Sequence, residues 1–228
     1  MRKLGNEELN RLTKAEYENA DKTPIIIVLD NIRSLSNVGA FFRTADAFCI
    51  SALYLCGITA CPPHREIHKT ALGADETVKW RYFETTEAAC QQLKAEGYKI
   101  FAVEQIEGSV SLQDFKFESH TAYIFGNEVE GVVEEALPYC DAAMELPQEG
   151  TKHSLNVSVC AGIVMWEAFK NLRIAQSWVV KTVFSLKNNE KHEKKTLFCV
   201  DNQNISYFCS LNRTHIKSDR IVKLRVTK

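Results

Sequence analysis

The chain has 228 residues, of which 45% are hydrophobic and 25% charged, and its formal net charge is −1. That balance describes a soluble globular protein with one good-sized domain, material for a real core, and room for an appended tail. It excludes a membrane-spanning chain, since no apolar run approaches the ~18 residues a span needs, and the charged N-terminus lacks the apolar core of a signal peptide.

The 8 cysteines form no C-x-x-C pair. Cys49, Cys56, Cys61, Cys90, Cys140 and Cys160 sit mostly within apolar runs, as reduced core residues do, so neither a disulfide framework nor a zinc site is expected. The natural compartment for such a chain is the cytoplasm. The small net charge hides an asymmetry: Trp178 to Lys228 holds 11 Lys and Arg against 4 Asp and Glu, leaving 17 against 25 in residues 1–177. A basic tail on an acidic body reads equally well as a polyanion-binding appendage and as a solvated end.

Residues 2–20 are charged, with Leu9, Leu12 and Tyr17 at loose helical spacing, and read as an amphipathic helix that Asp21 and Pro24 end. Ile25–Leu29 is a continuous β-branched run, the mark of a strand buried on both faces. A polar loop from Asp30 to Asn37 leads into a helix over Val38–Phe48. Strands follow at Ala52–Cys56, Val78–Phe83, Lys99–Val103, Ala122–Phe125 and around Met144. Helices are expected at Arg65–Leu72, Thr86–Glu96, Val132–Leu137 and from Ser154 onward, where Leu155, Val159, Ile163 and Trp166 fall on one face. Gly162 inside that last helix costs about 1 kcal/mol against Ala, which suggests close backbone approach there. The alternation predicts an α/β domain with a largely parallel sheet and helices on both faces. After about Ile174 the character changes: Lys187–Lys195 is a charged break, and Thr196–Val200, Ile205–Cys209 and Ile221–Val226 look like isolated strands.

Polar, glycine-containing clusters follow three of the strands. The first is Asn37-Val-Gly39 with Arg43 six residues on; alone, Asn37 reads as a helix cap and Arg43 as a surface arginine. The second is Gly126-Asn-Glu-Val-Glu-Gly131. Its G-x4-G spacing invites comparison with a phosphate loop, but Val132 and Val133 stand where Lys and Ser or Thr are needed, and no G-x-G-x-x-G is present. The third is Leu146-Pro147 with Ser154 and Asn156 at a loop–helix junction. In open α/β sheets, ligands collect at the carboxyl ends of strands.

Together these clusters resemble the three motifs of the SpoU/TrmH branch of the SPOUT methyltransferases. Asn37-Val-Gly39-Ala-Phe-Phe-Arg43-Thr-Ala-Asp46-Ala-Phe48 is similar to the first, Phe125-Gly126-Asn-Glu128-Val-Glu-Gly131 to the second, and Leu146-Pro147 with Ser154-Leu-Asn156-Val to the third. The resemblance covers residues 24–172. It implies a C-terminal trefoil knot, an exception to the rule that chains are unknotted, and a homodimer whose two subunits complete each active site. It implies S-adenosylmethionine as cofactor, no metal, and methyl transfer to a ribose 2′-hydroxyl of structured RNA, with tRNA favoured over rRNA. Arg43 matches the family's catalytic arginine; since Arg is hardly ever deprotonated, it acts by gripping the adjacent phosphate and lowering the hydroxyl's pKa. Asn37, Glu128, Ser154 and Asn156 complete the implied catalytic set. Gly126, Asn127, Gly131, Leu146, Pro147, Ser154 and Leu155 are the implied cofactor-binding positions. Cys49 stands where the family usually has Gly, and Gln148 where an apolar residue is common. The domains are expected as an N-terminal extension 1–23, a methyltransferase domain 24–175 and a basic tail 176–228. Two other readings compete: a non-catalytic RNA-binding protein on the same fold, and an α/β enzyme with another nucleotide cofactor, which the missing phosphate-loop lysine disfavours.

Overall fold

The structure is a computed structural model that describes residues 1–174 and the backbone of two later strands, 195–200 and 206–211. By contacts the chain falls into two compact units, Met1–Ile174 and Ala175–Lys228.

The first unit begins differently from the single helix expected. A 3-10 turn, Asn6–Leu9, ends at Asn10 in the left-handed region (φ 46°), and a short helix α1 spans Lys14–Asn19. Thr13 restarts the chain with a capping box: its hydroxyl accepts from Glu16 N at 3.3 Å while its own N–H donates to the Glu16 carboxylate at 2.8 Å. Leu9 and Leu12 are exposed and only Tyr17 is buried, so this stretch presents no continuous apolar stripe.

The body is a seven-stranded sheet. Its strands are β1 (Thr23–Asp30), β2 (Ile50–Cys56), β3 (Trp80–Phe83), β4 (Lys99–Val103), β5 (Val110–Ser111), β6 (Thr121–Phe125) and β7 (Ala142–Glu145). Their order is β3-β2-β1-β6-β4-β7-β5, and every pairing is parallel. The central strand explains its own sequence. Ile25, Ile27 and Leu29 enter one core while Ile26 and Val28 enter the other, so each residue of the run is buried, stabilising by about 1.5–3 kcal/mol per side chain relative to exposure.

Helices cover both faces, as expected. On one side lie α2 (Leu35–Ala47), α3 (Arg65–Ala71) and α5 (Val157–Phe169), contributing Phe41, Phe42, Ile67, Ala161 and Val164 to one core. On the other lies α4 (Thr86–Ala95), with Ala89, Cys90 and Leu93 in the second core. The helix expected at Val132–Leu137 is instead a 3-10 turn, Glu134–Tyr139, with Pro138 inside it; proline supplies no N–H to continue a helical ladder. The helix expected from Ser154 starts at Val157, because Asn156 is its cap. The two-residue β5 was not foreseen.

β7 is the last of the seven strands in the chain, yet it lies between β4 and β5. The trefoil knot implied by the resemblance concerns the chain end beyond α5, part of which lies outside the described residues. In the second unit, β8 (Lys195–Val200) and β9 (Ser206–Leu211) pair antiparallel, Lys195 opposite Leu211 and Val200 opposite Ser206. Two of the expected isolated strands therefore form a hairpin. The strand expected at Ile221–Val226, and most of the basic tail with it, lies outside the described residues.

Candidate functional site at the carboxyl ends of the strands

β1 and β6 are neighbours, and from β1 the sheet is built outward in both directions. That is where an open parallel sheet leaves a crevice beyond its strand ends. At the end of β6 the chain folds into the turn Gly126–Gly131. Asn127, 5% exposed, builds it: its Oδ1 accepts from Val129 N and Glu130 N, both at 2.8 Å, and Gly131 N donates to Asn127 O at 3.1 Å. The glycines are what let the turn close. A Cβ on Gly126 would lie 2.0 Å from the carbonyl carbon of Gly131, and Gly131 itself holds φ +71°.

Buried Asp30, at the end of β1, anchors the exit of this turn. Its carboxylate accepts from Val133 N at 2.8 Å, from the Asn31 amide at 2.8 Å and from the Thr86 hydroxyl. These donors replace the water that a buried carboxylate would otherwise miss.

The turn presents Glu128 to a chain of side chains on two helices. Asn37 Nδ2, in the first turn of α2, donates to Glu128 Oε1 at 2.5 Å. Asn156 Nδ2 donates to Asn37 Oδ1 at 3.2 Å, and Ser158 Oγ donates to Asn156 Oδ1 at 2.6 Å. Asn156 Oδ1 also accepts the backbone N–H of Ser158 and Val159, which places the start of α5. Sequence reasoning put Asn37, Glu128 and Asn156 in one site, and the structure brings all three together. It missed Ser158, whose signal was its place in the first turn of the same helix, two residues after Asn156.

Beside this chain lies a cavity of about 290 Å³ beyond β4, β6 and β7. Gly126, Asn127, Glu128, Gly131, Leu146, Ser154 and Leu155 all line it, but Pro147 does not. Phe125, Met144 and Val157 give it an apolar wall, and Glu104, Gln105, Gln148 and His153 give it a polar rim. Glu104 and Gln105 were not singled out from the sequence. Their signal was position alone, directly after a buried strand. The Cys160 thiol also lines the cavity; burial, and then the nearby Glu104 charge, push its pKa up to about 11. It is therefore a neutral thiol, poorly suited to nucleophilic chemistry. Among the described residues no group of three or more His, Cys, Asp or Glu is placed to hold a metal ion, and no helix is long and apolar enough to cross a membrane.

Arg43 stands apart from these groups. It is exposed on α2, and among the described residues no hydrogen bond or ion pair holds it. The turns of α2 explain where it points. On one flank α2 meets α5, through Asn37 with Asn156 and through Phe48 with Trp166 (ring centroids 5.7 Å). On the opposite flank it meets α3 and the chain after it. There a Cβ on Gly39 would lie 1.8 Å from Thr70 Oγ1, and Thr77 Oγ1 donates to Asp46 at 2.8 Å. Helical periodicity puts Ser36, Ala40, Arg43 and Ala47 in the outward row between those flanks. Gly39 thus lets α3 approach α2 closely. The close approach expected at Gly162 is absent within the described residues, where the nearest neighbour of an added Cβ is the Thr44 methyl at 4.0 Å.

Val159, Ile163 and Trp166 do share a face of α5, but it points outward, with exposures of 54, 38 and 43%, while Leu155, expected on the same face, precedes the helix and lines the cavity. An exposed apolar row of this kind on a helix marks a surface that something covers.

The SpoU rRNA Methylase family model matches residues 24–166. Among curated proteins, the chain is 31% identical over 150 residues to the 23S rRNA (guanosine-2′-O-)-methyltransferase RlmB of Neisseria meningitidis, spanning 66% of this chain and 60% of that protein. It is 31% identical over 144 residues to the tRNA (guanosine(18)-2′-O)-methyltransferase of Thermus thermophilus, spanning 63% of this chain and 73% of that one. The AdoMet-bound rRNA methyltransferase from Sinorhizobium meliloti superposes with a TM-score of 0.62 at 26% identity, over 68% of this chain and 60% of that one. The chain thus spans about three fifths of the ribosomal relative's length.

Proposed function

The chain belongs to the SpoU rRNA methylase family, and from that premise we propose that it transfers a methyl group from S-adenosylmethionine to a ribose 2′-hydroxyl of structured RNA, releasing S-adenosylhomocysteine. The observation that carries this reading is the hydrogen-bonded joining of Asn37, Glu128 and Asn156, from three separate segments, with Glu128 itself lining the cavity. The cavity fits the cofactor's chemistry: an apolar wall of Phe125, Met144 and Leu155 suits an adenine, and the rim of Glu104, Gln105 and Asn127 suits its polar ends. The close-packed backbone of Gly126 and Gly131 supports a flat group against it. When bound, the cofactor supplies a sulfonium-activated methyl.

The protein's own residues do the rest. Asn37 and Asn156 hold the Glu128 carboxylate in one orientation. Its second oxygen, without a protein partner among the described hydrogen bonds, accepts the hydrogen of the ribose hydroxyl. Arg43 grips the neighbouring phosphate and favours alkoxide character through its charge. As the oxygen attacks, the new O–CH₃ bond forms, the S–CH₃ bond breaks, and the hydroxyl proton passes to Glu128 and on to solvent.

Arg43 and Glu128 are not linked within the chain, which supports a second copy as the partner that completes the site. That copy covers the outward row of Val159, Ile163 and Trp166 on α5. The insertion of β7 between β4 and β5 supports the threaded, knotted path of the family. Relatives are named for both ribosomal and transfer RNA. We favour tRNA, of whose relative the chain covers 73% against 60% for the ribosomal one.

The test is transfer of labelled methyl from S-adenosylmethionine to unfractionated tRNA and, separately, to ribosomal RNA, followed by nucleoside analysis. A 2′-O-methylnucleoside in the tRNA pool is expected. Cofactor binding without transfer to either pool would favour an RNA-binding protein on this fold.

A further inference from the structure

A second cleft, of about 490 Å³, lies beside α3, and none of its lining residues belongs to the site described above. Pro62, Pro63 and the Trp80 ring wall it, and Arg65, His68 and Asp75 supply its polar groups. Asp75 has a side chain only 5% accessible, and both its oxygens lie 3.1 Å from His68 Nδ1. The carboxylate therefore accepts the Nδ1–H and fixes the ring, turning Nε2 outward as a hydrogen-bonding group of set direction. Glu76, at the edge, is paired with Lys14 at 3.5 Å. Among the described residues Arg65 has no ion pair or hydrogen bond, which leaves it as the uncompensated cation of the cleft. Trp80 is half-buried, packed on one side against the core, and among the described residues no aromatic ring pairs with it.

We propose that this cleft takes an unpaired nucleotide of the RNA substrate, its base stacked on Trp80 and hydrogen-bonded by His68 Nε2, and its phosphate held by Arg65. This rests on the RNA reading above and adds a subsite to it. An aromatic face, a cation and a directed imidazole within one cleft match the way proteins hold splayed-out bases. The position fits as well. Gly39 and Asp46 touch the α3 side of α2, and helical spacing sets Arg43, four residues after the one and three before the other, in the outward row next to them. A copy docked on α5 would leave the cleft open, because α5 lies on the other flank of α2.

The experiment uses the full chain with two probes, unfractionated tRNA for methyl transfer and a short fluorescent single-stranded RNA for binding. Trp80→Ala is expected to raise the RNA Kd and KM about tenfold, Trp80→Phe to restore most of the affinity, and both to leave kcat and S-adenosylmethionine affinity unchanged. Arg65→Ala is expected to weaken binding and lower the salt slope by about 1. Arg65 is a surface side chain, so its variant tests the cleft even if Trp80→Ala fails to fold. RNA affinities within twofold of wild type in Trp80→Phe and Arg65→Ala, together with an unchanged salt slope, would overturn the subsite while wild type still methylates RNA. A wild-type chain that neither binds nor methylates RNA would overturn the functional reading itself.

Discussion

The Gly126–Gly131 turn and the outer face of α5 lie on either side of the same site, and they are built in opposite ways. The turn is closed upon itself: Asn127 satisfies its backbone, Asp30 anchors its exit, and two glycines leave no space unfilled. The α5 face is open, with three large apolar side chains turned to solvent and Arg43, on the helix beside it, without a partner among the described residues. One region is finished within the chain and the other is not. Groups that hold a small ligand can be preorganised by one fold, whereas the proposed partners, a large RNA and a second copy, would meet the open surface.

The comparison breaks most sharply at Gly126. Gly126→Ala puts a Cβ 2.0 Å from backbone that cannot move without opening the turn. A loss of about 3 kcal/mol of stability, with cofactor binding abolished, is expected by denaturant titration and calorimetry. Retained binding would mean that the turn is looser than its hydrogen bonds indicate. On the open side, Arg43→Ala is expected to lower methyl transfer at least about 100-fold, roughly 2.7 kcal/mol of transition-state stabilisation, with stability and cofactor affinity unchanged. Full activity in that variant would remove Arg43 from the mechanism. The smallest effect is the most diagnostic. In an isolated helix Gly162→Ala gains about 1 kcal/mol, and the intrachain space for a methyl is present. If a second copy packs closely there, the same change raises the dimer dissociation constant on sizing or sedimentation while raising monomer stability.

The same contrast explains what was legible in the sequence. Ile25–Leu29 announced a doubly buried strand because a residue that must be apolar on both faces leaves no alternation. Asn37, Glu128 and Asn156 were legible because each follows a strand and carries hydrogen-bonding groups at a turn or helix start. Glu104 and Gln105 were not, since polar residues directly after a strand read as ordinary loop residues until the fold shows which cavity they border. The helix start at Ser154 was misplaced because Ser and Asn both cap well, and only the fold decides which carbonyl or hydroxyl reaches the free amides. Periodicity placed Leu155, Val159, Ile163 and Trp166 on one face, but it cannot distinguish a core from a partner, since both reward the same spacing. The expected helix at Val132 failed for a local reason, with Pro138 six residues on.

The place of β7 has a consequence for how the protein is made. Its slot lies between β4 and β5, yet its residues leave the ribosome after both. Until Glu145 has emerged, a nascent chain holds β4 with one unpaired edge, and β5 has no neighbour at all. An open strand edge recruits whatever strand is nearest, so the interval between synthesis of Ser111 and Glu145 is when this chain is most exposed to mispairing. Fragments ending before residue 142 should therefore aggregate on expression, whereas chains ending just after α5 should not.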